Sequence, residues 1–275
     1  MDAAIGQSAS MSLRRIAFAV IAVAAVAGVI VAEQKRPLRQ RRRKTIPRTL
    51  RNAVMGASCA AIIAVAEEPL TQKIAAANLK NTAGFARKLP APLRIIGGVL
   101  AMDYGFYLWH VATHTIPFLW RFHRVHHLDA DMDASTAVRF HAADMLVSLP
   151  WRLVQVRLSG VSPKSLKLWR HFFNASILFH HSNLRLPAGW DKRLSAVFTT
   201  PEMHGIHHSS VKQQRDSNWT SGFSFWDRLH GTFRSDIAPQ DIVIGVDDAA
   251  ALADEALEAS LTAPFKPMPS PTRTM

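Results

Sequence analysis

The chain holds one cysteine, Cys59, in 275 residues. No intramolecular disulfide can form, and neither a cysteine-rich zinc site nor a cysteine-ligated iron–sulfur cluster can be built. One cysteine in an apolar run fits a reducing compartment. The sequence also lacks a glycine-rich nucleotide fingerprint, a haem-attachment motif and a His-Glu-x-x-His zinc motif. No sustained alternation of apolar and polar residues marks a strand, and no internal repeat is present. Acid is scarce as well. There are 20 Asp and Glu against 33 Lys and Arg, a formal charge of +13.

The distribution of that charge narrows its meaning. Nine Lys and Arg fall between Lys35 and Arg51, flanked by two apolar segments. This is the pattern of a cytoplasmic loop between membrane segments. No nucleic-acid-binding motif accompanies it, so nucleic acid is not expected as a partner. Ile16 to Ala32 is an uninterrupted apolar run, just long enough to span a bilayer. It is longer than a usual signal-peptide core, so a retained anchor is expected over a cleaved leader. Ala53 to Ala66 reads as a short span or membrane-inserted half that Glu67-Glu68-Pro69 ends. Ile95 to Trp109 is a third apolar segment, broken by Asp103. A charge inside such a segment is costly and marks function by default. With the basic loop in the cytoplasm, the third segment runs inward and delivers residues 110–127 to the cytoplasmic side.

Two further apolar segments, Asp144 to Leu158 and Leu166 to Leu178, are joined by a Gly160-Val161-Ser162-Pro163 turn. Arg152, Arg157 and Arg170 make them poor spans, and a hairpin is expected. The reading is therefore all-α. An integral membrane helical bundle carries a cytoplasmic, histidine-rich di-metal cap. Residues 1–92 form anchor segments and the basic loop, 93–235 the catalytic domain, and 236–275 an exposed tail.

What the chain has in excess is clustered histidine. Eight of its 13 histidines lie in three boxes: His110-x-x-x-His114, His123-x-x-His126-His127 and His204-x-x-His207-His208. Residues at i, i+3 and i+4 share a helix face. Imidazole is the commonest protein metal ligand, and eight exceed what one ion takes. The arithmetic points to two metals. An ordinary buried histidine face would explain one box, and three in one chain argue against it.

The surroundings of the boxes resemble the fatty acid hydroxylase / sterol desaturase superfamily. The resemblance rests on Asp103-x-x-x-Tyr107-x-Trp109-His110, Trp120-Arg121-Phe122-His123-Arg124-Val125-His126-His127, Arg139-Phe140-His141, Phe179-His180-His181-Ser182-Asn183, Pro201-Glu202-Met203-His204-Gly205-Ile206-His207-His208 and Trp226-Asp227-Arg228-Leu229-His230-Gly231-Thr232-Phe233. It covers roughly residues 95 to 235. It implies a membrane non-haem enzyme with two iron ions, using O2 and external electrons to hydroxylate or desaturate lipid C–H bonds. Zinc could replace iron on purification. The expected partners are a lipid substrate of sterol or fatty acyl class, the membrane, and a separate electron donor, cytochrome b5-like or a ferredoxin with its reductase. His110, His114, His123, His126, His127, His141, His181, His204, His207 and His208 are the expected metal ligands. Asp103 and Asn183 are expected to support them, while His171 and His230 are expected to be structural and His180 to pack or face substrate.

The chain departs from the family pattern at Val111, Ala142, Asn218-Trp219-Thr220 and His230. A non-catalytic metal-binding membrane protein and a zinc-dependent membrane hydrolase remain as alternatives. For the hydrolase, Glu202 is the only acid close before a third-box histidine.

Overall fold

The computed structural model describes residues 2–246 and 256–266. Among them there is no β-strand, only three isolated bridges. The principal helices are α1 (Asp2–Lys35), α2 (Thr45–Ile62), α3 (Glu68–Asn78), α4 (Phe85–Lys88), α5 (Arg94–Thr115), α6 (Pro117–His127), α7 (Ala142–Ser159), α8 (Pro163–His181), α9 (Trp190–Leu194) and α10 (Pro201–His207).

Among the described residues two helical stretches are long and apolar enough to cross a membrane, Thr45–Asn78 and Ala91–Thr115. The first joins α2 to α3 through a π-helical turn at Ile63–Glu67. Glu67-Glu68-Pro69 therefore does not end the segment. Pro69 sits in the first turn of α3, directly after that π-helical turn. Only 11% of the apolar window of Thr45–Asn78 is buried within the protein. A core helix of a soluble protein would bury far more of its apolar surface. The 16–32 run lies within α1, where Val20, Ile21 and Val23 are exposed.

The 160–163 turn is built as its residues dictate. Gly160 closes α7 in the left-handed region at φ 66°. Ser162 caps α8 by accepting from the Ser165 N–H, and Pro163 opens it. The hairpin α7–α8 packs on α3 and α5 around Val99, Met102, Val156, Leu166 and Trp169. Its arginines are absorbed internally: Arg152 lies over the Phe106 ring, and Arg170 pairs with Glu67 and Glu68.

The basic run is only partly a loop. Arg48 and Arg51 belong to α2 and are buried. Arg48 pairs with Asp129 at 2.8 Å and with Asp133, and Arg51 reaches Asp129 at 3.2 Å. The three arginines Arg48, Arg139 and Arg51 hold the buried Asp129 carboxyl below its ordinary range against desolvation. Removing one partner of such a network costs about 3–5 kcal/mol.

Past residue 236 the chain is not simply exposed. Ile242 and Ile244 pack with Met132 and Ile206, and Ala263 joins Met55 and Val125. The remainder of the expected tail lies outside the described residues.

Candidate metal centre

The histidines converge where the C-terminal ends of α5 and α8 meet α6 and α10. Local signals place each. Pro117 opens α6 directly after the Ile116 bend, so α6 turns back on α5. Thr200 caps α10 by accepting from the Met203 N–H, with Pro201 at its start.

Two groups of four result. His110, His114, His127 and His207 offer ligand atoms all within 4.8 Å of one another, as do His126, His181, His204 and His208. All are buried except the half-buried His114. Consecutive histidines divide between the groups: His126 and His127 part company, as do His207 and His208. A step of one residue turns a helix by about 100°, so a doublet can serve two centres. The groups adjoin. The His127 and His208 rings stack at 4.3 Å, and His204 stacks on His207 at 5.0 Å.

Outer partners fix the rings. The Nδ1–H groups donate to backbone carbonyls in four cases: His110 to Trp219 at 2.6 Å, His207 to Ser217 at 2.8 Å, His181 to Ile177 at 2.7 Å and His126 to Arg139 at 3.2 Å. A carbonyl only accepts, so each of these rings carries its proton on Nδ1 and presents an Nε2 lone pair. Such second partners orient and tune metal-bound histidines. His181 Nε2 then lies 3.0 Å from His126 Nε2 and 3.1 Å from His204 Nε2. Between His126 and His181 two lone pairs face each other, an arrangement that a cation between them stabilises. The buried Nε2 atoms of His110, His114, His123 and His207 and both ring nitrogens of His127 and His208 have no protein partner. This donor set fits metal ions, and nitrogen-rich sites suit iron or zinc.

Electrostatics point the same way. Burial, ahead of mutual repulsion, drives His126, His127, His204 and His208 well below the ordinary imidazole value. Burial likewise takes His181 to about 4 and His207 to about 3, although backbone acceptors oppose it. The rings are neutral near pH 7, which is the ligand form.

His123 belongs to neither group of four but touches both. Its ring is 5.0 Å from His114 and 5.5 Å from His126, and its Nδ1 lies 3.5 Å from Asp144. His141 stands apart. Its Nδ1 accepts from the Ala143 N–H at the start of α7, and its Nε2 meets the Leu261 carbonyl at 3.1 Å. Both ring nitrogens are thus engaged, and the structure does not bring His141 into the cage. His171 is exposed, and His230 is an exposed ring stacked on Tyr107.

Asp103 touches no histidine. Its carboxylate accepts from the Phe223 N–H at 3.0 Å and from Trp226 Nε1 at 2.9 Å. Asp227 accepts from the N–H groups of Trp219 and Thr220. Together they anchor the 218–227 loop whose Trp219 carbonyl holds His110. Asn183 instead clasps the Arg39 backbone, accepting its N–H at 2.8 Å and donating to its carbonyl at 2.9 Å. Both reach the clustered histidines only through the backbone they hold. The 218–220 departure is part of this support: Asn218 adopts φ 52° and donates to the Met203 carbonyl.

His180, expected to pack or face substrate, lies 4.1 Å ring to ring from His204, with both nitrogens buried and unpartnered. Two features escaped the sequence reading: Asp144 beside His123, and the four carbonyl acceptors, since backbone acceptors leave no trace in residue type. Glu202, the acid a hydrolase would need, interacts with Arg39 and Asp191.

A family model described as fatty acid hydroxylase matches residues 95–232. The chain is 30% identical over 177 residues to the ornithine lipid hydroxylase OlsE of Rhizobium tropici, covering 64% of this chain and 51% of that one. It is 25% identical over 137 residues to human alkylglycerol monooxygenase, covering 50% of this chain and 30% of the other. With human cholesterol 25-hydroxylase the identity is 29% over 147 residues, covering 51% of each. The chain thus spans about half the length of the first and last of these relatives and under a third of the second. No solved structure matches it significantly. The match over half the chain contains all three histidine boxes, and the chain belongs to the fatty acid hydroxylase family.

Proposed function

We propose that the chain is an integral membrane, O2-dependent hydroxylase of a lipid C–H bond. The observation that carries this reading is the paired cage: two adjoining groups of four histidines, with the Nε2 lone pairs of His126 and His181 turned toward one another in the second. His110, His114, His127 and His207 would hold one iron, and His126, His181, His204 and His208 the other, with His123 beside both. Bound iron would supply O2 activation, and two electrons would come from a separate donor protein. The chain's own residues do the rest. The carbonyls of Trp219, Ser217, Ile177 and Arg139 fix ring tautomers. Burial keeps the imidazoles neutral and bulk water out.

Substrate class follows from the setting. An apolar groove of about 640 Å³ runs along α5 between Leu93 and Leu108, walled by Trp151 and Leu158. The same helix carries His110 and His114. A groove of this volume suits an acyl or isoprenoid segment. The three relatives named above are hydroxylases or monooxygenases of lipids by name.

The cytoplasmic placement of the site rests on the basic loop. Its Arg39 is clasped by Asn183, and its Arg42 and Arg43 N–H groups bind Asp131. These contacts tie the loop to the segments that carry the cage, and the positive-inside bias supports a cytoplasmic reading of that face.

The test is metal content and turnover together. Detergent-purified chain from iron-supplemented cells should carry about two iron per chain, as the two groups require. With an electron donor it should consume O2 only when a lipid substrate is present. His126→Ala should lose metal and activity together. Full activity at full metal occupancy in that variant would overturn the assignment.

A further inference from the structure

Around the loop that follows α1 is a second cavity of about 640 Å³, and it is polar. Its lining includes Arg39, Arg41, Arg42 and Arg185, against one carboxylate, Asp131. That carboxylate is already engaged, accepting from the N–H groups of Arg42 and Arg43 at 2.8–3.0 Å. Arg41 is turned toward Glu33 at 3.4 Å. Arg185 donates to the Pro37 and Leu38 carbonyls.

Arg39 is the unusual member. Its Nη2 donates to the Pro201 carbonyl at 3.1 Å, while its Nε and Nη1 are buried and donate to no protein acceptor. Burial lowers its pKa to about 10, with Glu202 and Asp191 opposing, so it stays charged at neutral pH. A buried guanidinium with two idle donors is expensive unless an acceptor arrives. The seat is made for it: a Cβ at Gly205, inside the third histidine box, would collide with this guanidinium.

We propose that this pocket binds a phosphate ester. Arg39 would hold it from within, with the exposed Arg42 and Arg185 at the rim. Guanidinium forks match phosphate oxygens bidentately. Leu38, Met132, Ile242 and Ile244 provide an apolar wall, which suits an ester with an organic part better than a bare ion. Arg39, Arg41 and Arg42 follow α1 directly and precede the apolar stretch that begins at Thr45. That is the depth of lipid headgroups if both helices enter a bilayer. The phosphate could therefore come from a phospholipid or from a soluble ester. This inference does not rest on the oxygenase reading.

The test uses full-length protein in neutral detergent at fixed ionic strength, with three probes. They are inorganic phosphate, glycerol 3-phosphate and short-chain phosphatidylglycerol, with uncharged short-chain diacylglycerol as control. Binding is read by native mass spectrometry and thermal shift. Saturable binding of glycerol 3-phosphate and phosphatidylglycerol is expected, about tenfold weaker in Arg42→Gln and weaker still in Arg39→Gln. Lys212→Gln, on an exposed lysine paired with Asp216, should bind as the parent does. Arg42 is exposed, so its variant keeps the test valid if Arg39→Gln disturbs α10. Phosphatidylglycerol at least tenfold tighter than glycerol 3-phosphate, with no diacylglycerol binding, supports a membrane source. Equal affinities support a soluble one. No saturable binding of any probe, or affinity unchanged in Arg42→Gln and Arg39→Gln, overturns the proposal. So does capture of an acidic protein without binding of any probe.

Discussion

The two histidine groups have equal numbers and different supports. His110, His114, His127 and His207 draw on α5, one of the membrane-length helices, and two of them are pinned by carbonyls of the 217–219 loop. His126, His181, His204 and His208 draw on α8 instead, and three of their Nε2 atoms already approach within 3.1 Å in sequence. The first group keeps its lone pairs apart and includes the half-buried His114; the second is packed and wholly buried. One center thus answers to the loop and α5, the other to α8. A pair of shared doublets joins them.

The largest effect should come from setting one group against the other. His207→Ala removes a member of the first, and His181→Ala a member of the second. Turnover should fall to background in both, because the proposed chemistry needs two metals. Metal content separates the groups. Each variant should keep about one of two metals if the supports are independent. Elemental analysis of both proteins decides. Complete metal loss in either variant would mean that the adjoining rings form one cooperative site.

A smaller effect is expected from Asp144→Asn, which weakens the partner of His123 without touching a ring. Loss of such an outer partner costs about 10–100-fold in metal affinity or activity. Chelator competition would measure it. Affinity unchanged within twofold would show that His123 orients itself by packing alone.

Acid should act on both groups. His181 and His207 have folded values near 4 and 3, below the ordinary 6.5. Their folded values are depressed, so the unfolded chain takes up protons that the fold refuses. Stability from these rings is present above about pH 6.5 and is lost as pH falls toward 4 for His181 and 3 for His207. Metal-free protein should melt lower at pH 5 than at pH 7, and loaded protein should lose metal over the same range. A melting temperature flat between pH 7 and 5 would contradict the burial of neutral rings.

How much of this was legible depends on what each residue was asked to do. Side-chain identity and spacing placed the boxes, because imidazoles at helical intervals are visible in the sequence itself. The division of the boxes was not legible. The i, i+3, i+4 rule puts His123, His126 and His127 on one face, and only the positions of α8 and α10 decide that His126 leaves His127 for His181. Backbone supports were invisible for the same reason that Trp219 looked like a departure: its carbonyl, not its side chain, holds His110. Asp103 was read as costly inside an apolar segment. Its destination, the 223–226 loop, needed the fold.

The smallest effect on the metals should come from His141→Ala, and it sharpens the boundary of both groups. The resemblance of Arg139-Phe140-His141 to the family's element puts His141 among the expected ligands. The structure engages its two nitrogens with Ala143 and Leu261, at the start of α7 and beside the short helix Leu257–Thr262. Losing a cap of this kind costs about 1 kcal/mol. The expected variant is therefore slightly less stable, with metal content and activity close to those of the parent. His141→Asn should recover part of the stability, since its side-chain oxygen can accept from the Ala143 N–H. Metal loss in His141→Ala at an unchanged melting temperature would instead put His141 among the ligands and require the 256–266 segment to release it.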